Sequence, residues 1–521
     1  MSLLLFFAAI LPLLLLLALM TVFRLSAGKA ALIDLLFTAV LAVLVFKGGS
    51  SLLLWECVKG AWDALPIVLI ILTAVLLYQV GKEADAFSSL RIGLERLLPN
   101  ELLLVLALGW CFPSFLQGIS GFGVPVAVAA PLLIGIGVKP VYAVMLALLG
   151  QSWGNTFGTL AAAWDALVAA SGTAEAAQAA LWASFFLFLW DIAIGVVSAF
   201  FYGRGRAVRK SLPALIVISF LQGGGELLLS QVNTTLCNFV PAALSLIAVI
   251  ALGRLPLYRE RWAIEDSPMM ERKGASEEGK AKLTIMDALL PYILLTLLTL
   301  LVLALKPLSA FLSKVSFCPA VPETRTGLGV VNAGYERYSA FKPFTHASFM
   351  LLLSSLAGWA YYSIKGTKLS AKTLIKGTLK LSMPSAVAVV LLMMMSKVMC
   401  GSGMTQVLSE GIASALGRFY TVLVPFIGLL GTFSTGSNLS SNILFGSFQG
   451  TTAGLLGLNV PAVLGAQTAG GAIGSMVSPG KILLGTSTAG LSGKEGMILS
   501  RLLRIALPAV LLIGLLLLIV A

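Results

Sequence analysis

The sequence predicts an all-α polytopic membrane protein with about 12 to 15 transmembrane helices. Three observations carry this prediction. First, 58% of the 521 residues are hydrophobic and 11% are charged, whereas soluble chains carry roughly 25% charged residues. Second, the roughly 300 apolar residues supply that number of helices at about 20 residues each. Third, the apolar segments are continuous and do not alternate with polar residues, as strands of a membrane β-barrel would. A soluble enzyme, a nucleic-acid binder and a disulfide scaffold are thereby excluded.

The first apolar run, 3–23, is predicted to be a retained membrane helix, because it lacks a basic leader and a small-residue cleavage site. Further spans are predicted near residues 30–46, 63–80, 101–114, 138–162, 179–202, 211–229, 234–252, 285–305, 345–363, 379–399, 418–432, 456–475 and 499–521. The polar stretch 253–284 divides the chain into an N-terminal membrane half, 1–252, and a C-terminal membrane half, 285–521.

The net charge of +13 is explained by basic loops on the cytoplasmic side of a membrane, not by a nucleic-acid partner. Basic residues cluster in 203–211, 253–284 and 365–380. Even numbers of predicted spans separate these clusters, so all three are expected in the cytoplasm, and segment 306–344 is expected outside. We therefore predict a multi-pass protein of the cell membrane. The oligomeric state is left open, with a homo-oligomer as one option.

Metal, cofactor and enzyme chemistry find no support in the residue types. The five cysteines are far apart in the sequence, so no metal-binding or redox spacing is present. His346 is the single histidine, which argues against a metal centre built from histidines. We predict no metal, no cofactor and no catalytic residues.

Glycine is concentrated in two stretches that resemble each other. Residues 115–158 hold 8 of the 52 glycines and residues 428–496 hold 16. Phe115–Gly118 matches Phe433–Gly436, and Pro140 with Gly150 matches Pro461 with Gly471. Paired breaks in the two halves of a membrane chain are typical of secondary transporters, where broken helices surround a site near the midplane. We predict two inverted-type repeats, each with a re-entrant or broken-helix hairpin, at about 112–160 and about 428–496. The alternative is that these glycines only let helices pack closely.

The breaks supply the groups that bind small anions. Helix N-termini at the breaks offer free N–H groups and the positive end of the helix dipole. The run Ser437–Asn442 places five polar side chains in six positions, which close packing explains poorly. The predicted substrate-binding residues are Gln117, Gly118, Ser120, Gly121, Phe122, Gly123, Asn155, Thr156, Thr435, Ser437, Asn438, Ser440, Ser441, Asn442, Ser478 and Lys481.

Two charged residues inside apolar segments are candidates for ion coupling. Lys481 is expected to neutralise a bound anion, the alternative being a side chain that extends to the membrane interface. Asp191 is expected either to pair with a lysine such as Lys397 or to relay protons. Glu226 and His346 are expected at the interface.

Two other classes of function compete with a transporter. Gly118-Ile119-Ser120-Gly121 fits the Gly-x-Ser-Gly pattern of rhomboid intramembrane proteases, but a serine nucleophile needs a base in reach and nothing in the sequence places His346 there. The other alternative is an anion channel. No phosphate-binding loop is present, so an ATP-driven pump is not expected.

The glycine-rich stretches resemble the signatures of the bacterial L-lactate permease family. The first run is 115–127 with 135–143, and the second is 435–445 with 475–479 and 490–495. The resemblance implies a multi-pass carrier of 2-hydroxy monocarboxylates, such as lactate and glycolate, driven by proton symport. By motif it assigns the site to Gly118, Gly121, Phe122, Gly123, Pro125, Gly436, Ser437, Ser441 and Asn442.

The chain departs from the family pattern at three positions. The pattern has an acid at 117 and an aspartate at 438, where this chain has Gln117 and Asn438, and it has an uncharged residue where this chain has Lys481. One hypothesis is that the coupling ion is H⁺, carried by Lys481 or Asp191. Another is Na⁺ bound by carbonyl and Ser or Asn oxygens, and a third is exchange or uniport. An altered substrate, such as another carboxylate or a sulfonate, also fits the added cation.

Overall fold

The computed structural model describes residues 3–121, 123–271, 282–491 and 493–521. Its described part is mostly helical. Strand Thr324–Arg325 pairs antiparallel with Val331–Asn332 in a small two-stranded sheet. Among the described residues, 11 helical segments are long and apolar enough to cross a membrane. The predicted all-α membrane class is confirmed.

The helices in chain order are α1 (Leu3–Thr21), α2 (Ala27–Leu44), α3 (Ser50–Glu83), α4 (Ala86–Leu97), α5 (Glu101–Leu106), α6 (Phe112–Ile119), α7 (Val124–Gly135), α8 (Pro140–Ser152), α9 (Gly158–Ser171), α10 (Ala176–Ser219), α11 (Gly225–Leu229), α12 (Phe239–Leu252), α13 (Pro256–Arg259), α14 (Ile285–Ala304), α15 (Lys306–Leu312), α16 (Ala347–Ile364), α17 (Ala371–Ser402), α18 (Met404–Leu416), α19 (Tyr420–Thr435), α20 (Asn438–Leu455), α21 (Val460–Gly474), α22 (Pro479–Thr488) and α23 (Glu495–Val520). Wider π turns at Ala107–Cys111 and Phe220–Gly224 join α5 to α6 and α10 to α11.

Several predicted spans are joined in the structure, which explains why its count lies below the predicted range. Ala176–Leu229 counts as one segment of 54 residues, but it holds two helices, in line with the predicted spans 179–202 and 211–229. The helices meet at Gly203 and Arg204, whose φ angles are −162° and 51°. The expected loop is therefore a sharp kink that holds the basic residues at the end of the bundle.

Two long antiparallel helices, α3 and α17, pack closely against each other. A Cβ atom on Gly60 of α3 would lie 2.5 Å from Cα of Met394 on α17, so the backbones meet directly. A buried ion pair joins them, with Lys397 Nζ 2.9 Å from Asp63 Oδ2. The expected pairing of Lys397 with Asp191 is wrong, because Asp63 lies opposite Lys397 on the facing helix.

The segment from Glu101 to Gly135 forms a broken-helix hairpin, called hairpin 1. Its first arm is α5–α6 and its second is α7, and a Cβ atom on Gly109 would lie 3.7 Å from Leu133 across the arms. Both ends meet the same segment: Glu101 N donates to Trp262 O at 3.1 Å, and Lys139 N, just after α7, donates to Met269 O at 2.8 Å. Hairpin 1 thus enters and leaves at one end of the bundle.

Hairpin 2 consists of α19 and α20 and enters from the opposite end. Ser441 Oγ donates to Gly428 O at 2.9 Å and Gln449 Nε2 donates to Val424 O at 3.2 Å, so the arms run antiparallel. Its open end lies beside the end of α17, since Ser447 Oγ is 3.0 Å from Cys400 Sγ. That the stretches 112–160 and 428–496 are copies of one duplicated unit stays a prediction.

The basic segments gather at the hairpin 1 end. Tyr258 OH donates to Lys210 O at 2.9 Å, and Lys282 Nζ lies 3.4 Å from Asp85. Lys365 Nζ lies 3.2 Å from Asp287. Asp287 is close to Lys282 in the chain, so the segment that holds Lys365 lies at the same end. The excess of basic residues marks this end as cytoplasmic. The segment 306–344 packs at the other end, where Gly327 N donates to Lys47 O at 2.9 Å. Arg272, Lys273 and Lys280 of the predicted loop lie outside the described residues.

Candidate functional site

Four helix breaks meet near the middle of the protein. They are the tip of hairpin 1 at Ser120–Gly123, the tip of hairpin 2 at Gly436–Ser437, the break between α8 and α9, and the break between α21 and α22. They enclose a small cavity of about 40 Å³. The cavity is lined by Gln117, Gly121, Asn155, Gly158, Thr159, Ala162, Ala163, Gly436, Ser437, Asn438, Leu439 and Lys481.

Glycine makes both hairpin tips possible. Gly121 and Gly123 have φ angles of 41° and 85°, and Gly436 has a φ angle of 77°, a region that side chains with a Cβ rarely adopt. The space is equally restrictive, because a Cβ atom on Gly121 would lie 2.4 Å from Thr159 Oγ1. These glycines lie at the breaks and allow the tip of hairpin 1 to touch α9.

The start of α9 has a break that no glycine predicts. Thr159, Leu160 and Ala161 all have left-handed φ angles, of 51°, 49° and 69°. This conformation costs roughly 1–2 kcal/mol for each residue with a Cβ. Surrounding contacts must impose it, and strained backbone of this kind gathers at functional sites. Its effect here is to bring Thr159 into the cavity wall.

A buried polar network stands behind the cavity. Asn438 Nδ2 donates at 3.3 Å to the hydroxyls of both Thr156 and Thr468, and these hydroxyls lie 3.0 Å apart. Asn442 Nδ2 donates to Thr468 Oγ1 at 2.9 Å and to Ala163 O at 2.8 Å. The network ties hairpin 2 to α9 and α21. Sequence reasoning missed Thr468 as its centre, although a Gln-Thr pair in an apolar helix was an available signal.

Several polar atoms around the cavity have no hydrogen-bond partner among the described residues. They include Gln117 Oε1, Asn438 Oδ1, Asn442 Oδ1 and Ser478 Oγ. An unpaired buried polar atom costs about 1–3 kcal/mol. Such groups are acceptable at a site where a ligand or water pairs with them.

Lys481 is the cation of the site. It lies in the first turn of α22, is 7% exposed, and donates from Nζ to Asn155 Oδ1 at 3.2 Å. Among the described residues no carboxylate lies within salt-bridge distance of it. The side chain therefore points into the protein, and the alternative in which it extends to the interface does not describe it.

The groups around the cavity favour a bound negative charge. The N-termini of α20 and α22 both open towards it, with Ser437 and Ser478 as their N-caps. A helix N-terminus carries about half a positive charge, and the unpaired Lys481 adds its own charge when it is protonated. The arrangement is suited to holding a small anion.

Other predicted site residues lie outside the cavity wall. Gly118 and Gly123 serve packing, the first against Phe239 and the second against Leu484. The hydroxyls of Ser120, Thr435 and Ser441 donate to backbone carbonyls of their own hairpins at 3.1, 2.7 and 2.9 Å. Thr435 and Ser440, together with Ser437 of the cavity wall, line a second cavity of about 510 Å³. Phe122 lies outside the described residues.

The acidic and histidine candidates are also apart from the cavity. Asp191 is fully buried and accepts a hydrogen bond from Trp110 Nε1 at 2.8 Å. Glu226 is fully buried too, so its expected interfacial position is wrong. It bonds Asn238 inside the protein, which sequence reasoning gave no means to foresee. His346 caps α16 and lies 2.9 Å from Ser348 Oγ. It makes no hydrogen bond to Ser120 in the part of the chain that the structure describes.

Comparison with known proteins identifies the class. The L-lactate permease family model matches residues 5–521. An L-lactate permease of Halalkalibacterium halodurans is 28% identical over 94% of this chain and 91% of its own. A glycolate permease of Escherichia coli K12 is 26% identical over 94% and 90%. The YdaH transporter structure of Alcanivorax borkumensis covers 86% of this chain and 84% of its own, at 16% identity and a TM-score of 0.45. The protein is a membrane transporter and not an enzyme, and the chain belongs to the L-lactate permease family.

Proposed function

We propose that this protein carries small 2-hydroxy monocarboxylates, such as L-lactate or glycolate, across the cell membrane. One observation carries the proposal: Lys481, a buried cation without an acidic partner among the described residues, faces a small cavity where four helix breaks meet. A buried unpaired charge is costly and is retained where it binds a ligand of opposite charge. The relatives named as L-lactate and glycolate permeases support this substrate class.

The residues around the cavity match the two functional groups of such a substrate. Its carboxylate fits Lys481 and the free N–H groups at the start of α20 and α22. Its hydroxyl fits the side-chain amides of Gln117 and Asn155, which offer both donors and acceptors. At roughly 10–15 Å³ for each water-sized group, a cavity of about 40 Å³ favours a substrate of few atoms.

The mechanism we propose is alternating access. The hairpins enter from opposite ends, so each can close one side of the cavity. Ser437 at the tip of hairpin 2 lines both the small cavity and the one of about 510 Å³. A movement of this tip would connect the two cavities and open the site on one side.

The proposed driving force is an ion gradient of H⁺ or Na⁺. Gln117 and Asn438 put neutral amides in the cavity wall, at positions where the resemblance to the family implies acids. The coupling group must therefore lie elsewhere if the ion is H⁺. Oxygen atoms of the network, such as those of Asn438 and Thr468, would serve if the ion is Na⁺.

Uptake of labelled L-lactate into proteoliposomes tests the proposal. A pH gradient and a Na⁺ gradient are imposed separately, and unlabelled glycolate, a dicarboxylate and a sulfonate compete in turn. Competition by glycolate is expected. If no monocarboxylate competes, the substrate class is wrong and the sulfonate or dicarboxylate that competes replaces it.

Counterflow separates a carrier from an anion channel. Vesicles preloaded with unlabelled L-lactate should accumulate the label transiently if the protein alternates between two states. A channel gives no such overshoot, and its absence during fast uptake would overturn alternating access.

A further inference from the structure

We propose that Glu226 is the proton-binding group that couples substrate movement to the pH gradient. The inference rests on the proposed transport function and names a residue outside the substrate cavity. It starts from a carboxyl group that is fully buried in α11 and does not line the substrate cavity.

The surroundings of Glu226 contain no counter-charge. Its Oε2 accepts a hydrogen bond from Asn238 Nδ2 at 3.0 Å. The titratable groups that face it are Asp191 on α10 and Cys237 in the segment before α12, and neither can be a cation. No lysine, arginine or histidine of the described residues forms an ion pair with it. Deprotonation would therefore leave a bare negative charge in the interior.

One proton would complete the contact between Glu226 and Asn238. Glu226 Oε1 and Asn238 Oδ1 are both buried without a partner among the described residues. Both are acceptors, so they can bond only through an added hydrogen. A proton on Oε1 supplies it, because a carboxylic acid and an amide can exchange two hydrogen bonds side by side. The pair is thus arranged to hold the protonated acid.

Asn238 connects this acid to the substrate site. A Cβ atom on Gly118, in the arm that leads to the tip of hairpin 1, would lie 3.1 Å from Asn238 Oδ1. A Cβ atom on Gly154, at the break between α8 and α9, would lie 2.5 Å from Asn238 Nδ2. The Asn238 side chain therefore fits between two of the four breaks. Losing the proton changes the hydrogen bonds of the group that these breaks pack against.

A cavity on the outer side comes within one helical turn of Glu226. It has a volume of about 570 Å³, and its lining includes Asp165, Ser230, Asn233 and Thr234, with Ser339 from the outer segment 306–344. Ser230 N donates to Glu226 O at 2.9 Å, one helical turn away. Outer water can therefore approach to the helical turn that follows Glu226.

Glu226→Gln is the decisive variant. A glutamine amide can donate to Asn238 Oδ1 as the protonated acid would, so the variant should fold and mimic the protein with its proton bound. Glu175→Gln, in the exposed segment before α10, is the matched control. We expect Glu226→Gln to keep counterflow of L-lactate, which needs no net proton movement, and to lose accumulation driven by pH.

The size of the effect follows from the gradient. For one proton with each monoanion, a gradient of about one pH unit supports about tenfold accumulation at equilibrium. The wild type and Glu175→Gln should reach that ratio, whereas Glu226→Gln should reach a ratio of one. If Glu226→Gln accumulates like the wild type, the proposal is overturned, and loss of accumulation in Asp191→Asn alone would assign the proton to Asp191.

A second measurement does not depend on the substrate. Infrared difference spectra of the purified protein across a pH titration should show the C=O stretching band of a protonated carboxylic acid. This band should be absent from the spectra of Glu226→Gln. Identical spectra for the two proteins would overturn the proposal. Absence of counterflow in the wild type with this band present would instead overturn the proposed transport function.

Discussion

Replacing Lys481 with methionine removes the charge of the site while keeping most of the side-chain volume. The Nζ atom is buried and its hydrogen bond goes to Asn155 Oδ1, so no acidic partner among the described residues is left stranded. A hydrogen bond that involves a charged group contributes about 1.5–3 kcal/mol. Loss of one such bond to the substrate carboxylate should raise the L-lactate concentration at half-saturation by about 10- to 150-fold.

The unliganded protein should respond in the opposite direction. A buried cation without a counter-ion destabilises the fold, so its removal should raise the melting temperature measured without substrate. The same variant should lose the additional rise that L-lactate produces in the wild type. This combination separates a binding role from a purely structural one, because a structural lysine would lower the melting temperature when removed.

The assay is counterflow at a series of L-lactate concentrations, with thermal unfolding in parallel. Lys494→Met is the matched control, because Lys494 is exposed beside the start of α23. Lys481→Arg should retain part of the affinity, since it keeps the charge. If Lys481→Met and Lys494→Met both keep the half-saturating L-lactate concentration of the wild type, Lys481 does not bind the substrate.

Three further changes test the frame around the site. Gly470→Ala would place a Cβ atom 2.0 Å from a backbone carbonyl oxygen of α19, and such overpacking should cost about 1–3 kcal/mol of stability; Gly480→Ala, with open space, should leave the melting temperature unchanged. Lys397→Met should lower the free energy of unfolding by about 3–5 kcal/mol, because it leaves the buried Asp63 carboxylate without its partner. Adding Asp63→Asn to this variant should recover part of that stability. No recovery would contradict the ion pair. Burial lowers the pKa of His346 to about 4, so between pH 6.5 and 4 the unfolded chain binds a proton that the folded chain does not. The melting temperature should therefore fall as the pH is lowered from 6.5 to 4, and it should fall less in His346→Asn.

The membrane class and the hairpin tips could be predicted because each depends on local residue types. Continuous apolar runs require helices in a bilayer. The positive φ angles at Gly121, Gly123 and Gly436 need glycine, so glycine-rich breaks in apolar sequence indicate the tips. Lys481 could be singled out because a charge in an apolar segment is rare.

The remaining features depend on contacts between distant segments. The left-handed turn at Thr159–Ala161 is imposed by its neighbours and has no local sequence preference behind it. The partner of Lys397 is Asp63, more than 300 positions away in the chain, and only the antiparallel pairing of α3 and α17 selects it over Asp191. Glu226 was expected at the interface, but the helix continues through the π turn at Phe220–Gly224 and the residue is buried inside the protein.

The length of α3 and α17 has a consequence for how the protein sits in its membrane. Their 34 and 32 residues span about 51 and 48 Å, while the hydrocarbon layer is about 30 Å thick. The two helices must therefore tilt or extend beyond the hydrocarbon layer. The first turns of α17 carry Lys372, Lys376 and Lys380, which are all exposed and one turn apart. Each such lysine contributes about 1 kcal/mol when it meets anionic lipid headgroups. The lipid composition of the inner leaflet thus fixes the depth of this helix pair, and a bilayer of different thickness or charge would shift the frame against which the hairpins move.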